Sequence, residues 1–185
     1  GLVLMVADDP GMFSSQNEQD TRHYARMAKV PCLEPADSAE AREYVLRAFE
    51  LSETFDTPVI LRTTTRISHC KSVVEIAEPV FVKDRDLARD VPKYVMLPAN
   101  AKKRHLIVED RLGKLKEWAE STPMNHTLAG VGDVGFIANG VAFQYVREAF
   151  PDAPILKLGM TYPLPEKKIR AFAASVKKLA VGEEL

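Results

Sequence analysis

Residues 37–66 constrain this chain more than any other stretch. Asp37 is a good helix N-cap, and Glu40 three residues on gives the spacing of a capping box. Ala41, Tyr44, Val45, Ala48 and Phe49 then follow at helical spacing. Pro58 ends the connection and opens PVILRTTTR, a run suited to a strand. An amphipathic helix followed closely by a strand has to bury its apolar stripe on a sheet. That directs the chain toward an open α/β architecture.

The rest of the chain extends this pattern. Residues 2–7, LVLMVA, form a short continuous apolar run bounded by DDPG. Such a run predicts a strand buried on both faces of a parallel sheet. A polar stretch, SSQNEQDTRH, leaves that strand, and a helix is expected over residues 24–29. VPCLEP reads as extended between Pro31 and Pro35. Residues 75–90 are charged without a clear period, and residues 91–99, carrying Pro92 and Pro98, read as extended. Residues 102–121 predict an amphipathic helix with Val108, Leu112, Leu115, Trp118 and Ala119 on one side. Regularity then returns: strand 134–138, helix 141–150, strand 155–158, a helix with Pro165 at its first position, and strand 179–181. Alternating strands and helices imply right-handed crossovers and a parallel sheet.

Bulk properties narrow the function. Hydrophobic residues make up 46% and charged residues 28%, ordinary for a folded chain. A formal net charge of −1 lacks the basic excess of a nucleic-acid surface. No apolar run approaches the length of a membrane span, so no membrane partner is expected. Cys32 and Cys70 share no CxxC spacing and read as incidental thiols in a cytoplasmic protein. Gly1 opens a run that already reads as mid-sheet, and the chain ends in AVGEEL. We therefore expect a piece of a longer protein.

Two glycine motifs fail on context. Gly130, Gly132 and Gly135 match GxGxxG, but they precede a strand, whereas a dinucleotide fingerprint follows one and opens a helix. Gly132-Asp133 begins like the GDG of a magnesium–diphosphate motif, yet the window that should supply its Asn contains none. His23, His69, His105 and His126 show no helical metal-site spacing among themselves. The run Lys102 to His105 is offset by Glu109 and Asp110 and reads as a solvated face.

The polar stretch carries the strongest functional expectation. Ligands of open α/β sheets bind beyond the carboxyl ends of strands, which this stretch leaves. The amides of Gln16 and Asn17 both donate and accept hydrogen bonds. Ser14 and Ser15 add hydroxyls, and Arg22 offers a fork for a carboxylate. TTTR after the second strand brings three hydroxyls and Arg66 toward the same rim. The bland alternative is a solvated loop or a helix start capped by Ser14 or Ser15.

Taken together, DDPGMFSSQNEQDTRHYARMAKVPCLEP, FDTPVILRTTTRISH, KLGMTYPLPEKKIRAFA and VGEE resemble one family. It is the alpha subunit of indolepyruvate:ferredoxin oxidoreductase, within the thiamine diphosphate-dependent 2-oxoacid:ferredoxin oxidoreductases. The resemblance covers nearly the whole chain. It implies the C-terminal part of a pyrimidine-binding domain over 1–69, a linker with a docking helix over 70–126, and a transketolase C-terminal-like parallel βαβαβ domain over 127–185.

The resemblance also implies the chemistry of the whole enzyme. Arylpyruvates such as indolepyruvate are oxidatively decarboxylated to aryl-acetyl-CoA, with coenzyme A as acyl acceptor and ferredoxin as electron acceptor. Thiamine diphosphate, magnesium and [4Fe-4S] clusters carry the reaction, alongside a beta subunit. None of these cofactors is expected tightly bound in this chain, which lacks the family's catalytic Glu, GDG motif and cluster cysteines. Gln16 and Asn17 are the implied contacts to substrate or cofactor, with Ser14, Ser15, Arg22 and Arg66 as weaker members of the rim. No residue here is expected to be catalytic. The chain alone is expected to be inactive and to self-associate through an open sheet edge. A pyruvate or phenylglyoxylate oxidoreductase and a non-catalytic α/β interaction module are the alternatives.

Overall fold

A computed structural model describes residues 1–79, 81 and 88–184. The first half contains β1 (Val3–Asp8), α1 (Arg22–Ala28), β2 (Cys32–Leu33), α2 (Ser38–Phe55), β3 (Val59–Thr64) and α3 (Thr65–His69). Two helices follow, α4 (Val91–Tyr94) and α5 (Pro98–Ser121). The last third contains β4 (Asn125–Leu128), β5 (Val134–Asn139), α6 (Gly140–Ala149), β6 (Ile155–Leu158), β7 (Met160–Tyr162), α7 (Glu166–Ala174) and β8 (Lys178–Gly182).

These strands make two four-stranded sheets, ordered β1-β3-β2-β7 and β4-β6-β5-β8. In the first, β1, β3 and β2 run parallel and β7 is antiparallel. In the second, β6, β5 and β8 run parallel and β4 is antiparallel. The α/β class expected from the sequence is the one observed. α2 and α5 cover the first sheet: Tyr44, Ala48 and Leu51 meet Leu115 and Ala119 over Leu33, Val59 and Leu61. Each of the buried leucines and Val59 contributes about 1.5–3 kcal/mol. In the second sheet α6 packs Phe143 and Val146 on Phe136 and Ala138, while α7 sets Phe172 against Ile137. Successive β5 residues thus face opposite layers, the signature of a doubly wound sheet.

The start of α2 is built as its sequence suggests, with one change. The Asp37 carboxylate accepts from the Glu40 amide at 2.9 Å. The Glu40 carboxylate accepts from the Ala36 amide at 2.8 Å, one residue before the cap. Phe49 does not join the core; it is half exposed, and Leu51 takes the buried position.

Two readings are corrected. β1 is not buried on both faces: Leu4 and Met5 are exposed, Met5 by 70%. Among the described strands it pairs only with β3 and forms the sheet edge. Residues 91–99 are not one extended run: they hold α4 and the start of α5, with extended backbone at Val95 and Leu97 between them. Asp90 caps α4 by accepting from the Lys93 amide, and Pro92 and Pro98 stand in first turns, where no backbone N–H is required. The short strands β4 and β7 carry too few residues for a period, and neither was anticipated. The charged stretch 75–90 lies partly outside the described residues.

β7 ties the two sheets together. The chain leaves β6 at Leu158 and enters the first sheet at Met160, turning at Gly159. The Asn125 side chain accepts from both the Gly159 and Met160 amides, at 3.0 and 2.9 Å. A Cβ at Gly159 would lie 2.2 Å from the Tyr44 hydroxyl and 2.9 Å from the Met124 carbonyl, so only glycine fits. Close approach also explains Gly130 of the GxGxxG run, whose Cβ would strike the backbone of Ala153 and Pro154. No helix among the described residues is long and apolar enough to cross a membrane.

Candidate functional site

The carboxyl ends of strands from both sheets meet at a cluster of buried charges. Arg62 stands within β3, where its neighbours are apolar or threonine, and its side chain is 1% exposed. Its Nε donates to Asp8 at the end of β1 at 2.5 Å, and its Nη1 donates to Glu34 beyond β2 at 2.9 Å. Glu34 also accepts from Asn139 Nδ2 at the end of β5, at 2.7 Å, and from the Thr161 hydroxyl of β7, at 2.7 Å. One carboxylate therefore joins β2, β3, β5 and β7. Burial works against the Arg62 charge, but Glu34's charge and the hydrogen bond to Asp8 outweigh it, and its pKa is raised. Arg62 Nη2 has no hydrogen-bond partner, and a carboxylate oxygen of Asp20 lies 3.8 Å from it.

Two consecutive aspartates then hold the polar stretch. Asp9 grips its start, accepting from the amides of Phe13, Ser14 and Ser15 at 3.0, 2.8 and 2.8 Å. The Thr65 hydroxyl donates to the same carboxylate at 2.8 Å and anchors it to α3. Asp8 grips the far end, accepting from the Thr21 amide at 2.7 Å and its hydroxyl at 2.6 Å. Backbone donors at both ends of the loop are thus satisfied by carboxylates, which anchor a turn that has no glycine or proline between residues 14 and 23.

The sequence-derived candidates fall in different places. Gln16 is exposed on the loop. Asn17 is exposed and donates its side-chain amide to the Glu18 carbonyl at 3.1 Å. It lines a hollow of about 440 Å³ with Asp8, Asp20 and Thr21. Ser14 and Ser15 face Asp9 through their amides. Arg22 gives its fork to Asp20, with Nε and Nη2 each 2.8 Å from a carboxylate oxygen, and its Nη1 lies 3.5 Å from Glu183. Arg66 stacks over Phe13 and sits 3.6 Å from Glu184. Both arginines are thereby engaged within the chain, and Arg22 does not line the hollow that holds Asn17. Cys32 and Cys70 are free thiols; burial and then the Glu34 charge push the Cys32 thiol up to about 12. No group of three metal-ligating side chains occurs among the described residues.

Sequence reading missed Asp8, Asp9, Glu34, Arg62, Asn139 and Thr161. Two signals were there to use: an arginine inside the otherwise apolar VILR segment, and the paired aspartates directly after β1.

Acid should loosen the loop first. The Ser14 amide, followed by Ser15, Thr65 and Phe13, holds the Asp9 carboxyl well below the usual carboxylate range despite opposing burial. Burial raises the Asp20 pKa, but the hydrogen bonds and charge of Arg22 and the charge of Arg62 win, and it too is lowered. A lowered folded pKa contributes stability that is present above the unfolded value, near pH 4, and lost as pH falls through the folded value. Urea stability should therefore hold down to about pH 4 and fall below it, with a shallower fall in Asp9→Asn. An identical acid limb in that variant would count against the assignment.

Comparison with known proteins places this arrangement. No family model matches the chain. Among solved structures, a 2-oxoglutarate:ferredoxin oxidoreductase from Magnetococcus marinus superposes with a TM-score of 0.64. The match covers 96% of this chain and 40% of that one, at 16% identity. The fold is thus one that part of a 2-oxoacid:ferredoxin oxidoreductase adopts. In sequence, all of the chain aligns with indolepyruvate oxidoreductase subunit IorA from three archaea. Identity is 43% for Methanothermobacter thermautotrophicus, 41% for Archaeoglobus fulgidus and 43% for Thermococcus kodakarensis. The chain is similar to these IorA sequences over its whole length and spans about a third of theirs, 31%, 31% and 30%.

Proposed function

We propose that this chain is part of a cytoplasmic, thiamine diphosphate-dependent indolepyruvate:ferredoxin oxidoreductase, and that its polar loop forms one lip of the substrate cleft. The observation that carries the reading is the alignment of the whole chain with about a third of each IorA sequence, at about 40% identity. The parent enzyme would convert arylpyruvates to aryl-acetyl-CoA and pass electrons to ferredoxin through iron–sulfur clusters, working with a beta subunit. The unit boundaries proposed are 1–69, 70–126 and 127–185.

The described residues do not fit the diphosphate–magnesium end of the cofactor. Gly132-Asp133 lies before β5, at the end of the second sheet away from the charged cluster, and Asp133 is paired with Lys177 at 3.0 Å. What this chain supplies is a rigid mount. Asp8 and Asp9 fix the loop ends, and Gln16 and Asn17 present amides to a 2-oxoacid or an aminopyrimidine.

Gln16→Ala in the assembled full-length enzyme should lower kcat/KM for indolepyruvate about tenfold with the fold intact. An unchanged kcat/KM would remove Gln16 from the lip, and equal turnover of pyruvate and indolepyruvate by the parent would defeat the substrate assignment. The 185-residue chain alone should reduce no dye with arylpyruvate and should self-associate through β1. Activity of the chain alone, or a monomer at every concentration in sedimentation, would contradict this.

A further inference from the structure

A second cavity, of about 730 Å³, opens between α1, α5 and the second sheet. That volume is in the range of small-molecule sites. Its position follows from topology. β5 has β6 on one side and β8 on the other, and α6 and α7 lie on opposite faces. The winding direction reverses at β5, which leaves a crevice beyond the carboxyl ends of β5 and β8. Ile137, Leu158 and Val181, from three adjacent parallel strands, give this cavity an apolar floor.

Its wall carries as many acids as cations, but they are unevenly paired. The acids on its wall are each committed within the chain: Asp20 to Arg22, Glu183 to Arg22, and Glu166 to Arg170. Two cations on the wall, Arg26 of α1 and Lys116 of α5, have no carboxylate within 4 Å among the described residues. Glu109, the acid on which the Lys116 charge acts, is bonded directly by Lys29. The charge of Arg26 is felt by the Tyr162 phenol, which stands on the same wall. Uncommitted cations, an apolar floor and an aromatic edge share one crevice.

We propose that this crevice binds a small organic anion, with a carboxylate or phosphate head between Arg26 and Lys116 and a ring-sized apolar body over Ile137, Leu158 and Val181. The site is separate from the polar-loop hollow, with which it shares only Asp20 and His23. It stands apart from the oxidoreductase reading.

The test is equilibrium binding to the assembled full-length protein, with benzoate and inorganic phosphate as probes. Arg26 and Lys116 are exposed, so Arg26→Gln and Lys116→Gln should leave the fold intact. The expected result is saturable binding of at least one probe, weakened about tenfold or more by each variant and unchanged in Gln16→Ala. Benzoate binding alone would assign a carboxylate head on a ring, and phosphate binding alone a phosphate head. Binding insensitive to both cleft variants, binding lost only in Gln16→Ala, or no saturable binding of either probe overturns the proposal.

Discussion

Arg62→Ala should destabilise the protein by about 3–5 kcal/mol, seen as a large drop in the urea midpoint. The side chain is buried, and both carboxylates it bonds, Asp8 and Glu34, are 2–3% exposed. Removing the guanidinium leaves Asp8 without its bonded cation and Glu34 with only Arg22 at 4.0 Å, where water cannot reach either carboxylate. Arg62→Lys should recover only part of the loss, because one ammonium lacks the planar fork that meets two carboxylates at once. Combining Arg62→Met with Asp8→Asn and Glu34→Gln should restore more, since neutral groups avoid the desolvation cost. An Arg62→Ala protein within about 0.5 kcal/mol of the parent would show that the cluster is solvated and structurally idle.

Lys157→Ala should cost a comparable amount, about 2–5 kcal/mol, for a different reason. Lys157 is fully buried on β6, bonded to the Glu40 carboxylate, with its ammonium 5.1 Å from the Phe143 ring centroid and 5.6 Å from that of Tyr44. Truncation removes the three methylenes beyond Cβ with the ammonium and opens a cavity between α2, α6 and the second sheet. Glu40, by contrast, is 23% exposed and keeps the Ala36 amide, so its own charge stays partly solvated. Lys157→Met, which fills the space without the charge, should therefore lose less than half as much. Equal losses in the two variants, measured by urea denaturation, would mean that the ion pair rather than the packing holds this junction.

These two residues show what kind of information was missing from the linear reading. α2, β3, α5 and the β5–α6–β6 unit were legible, because each repeats apolar residues at its own period and carries local stop signals. The buried face of α5, from Val108 through Ala119, is the one the spacing indicated. Arg62, Lys157 and Glu34 were not legible as core, because a charged residue in a short apolar run looks the same whether its partner is water or a carboxylate far along the chain. The polar loop was legible as a rim by its position after a strand. The two aspartates that hold it were overlooked because they read as part of a turn.

The sequence by itself determined the type of most elements, the α/β class and the resemblance to a 2-oxoacid oxidoreductase, since all three depend on residue types at short spacing. Tertiary structure alone decided that β7 crosses into the first sheet, that Glu34 joins four strands, and that Arg22 and Arg66 are engaged by acids of the same chain. Those outcomes depend on distances between groups as much as 161 residues apart, as for Arg22 and Glu183. Such distances are set by the packing of whole sheets and leave no periodic trace in the chain.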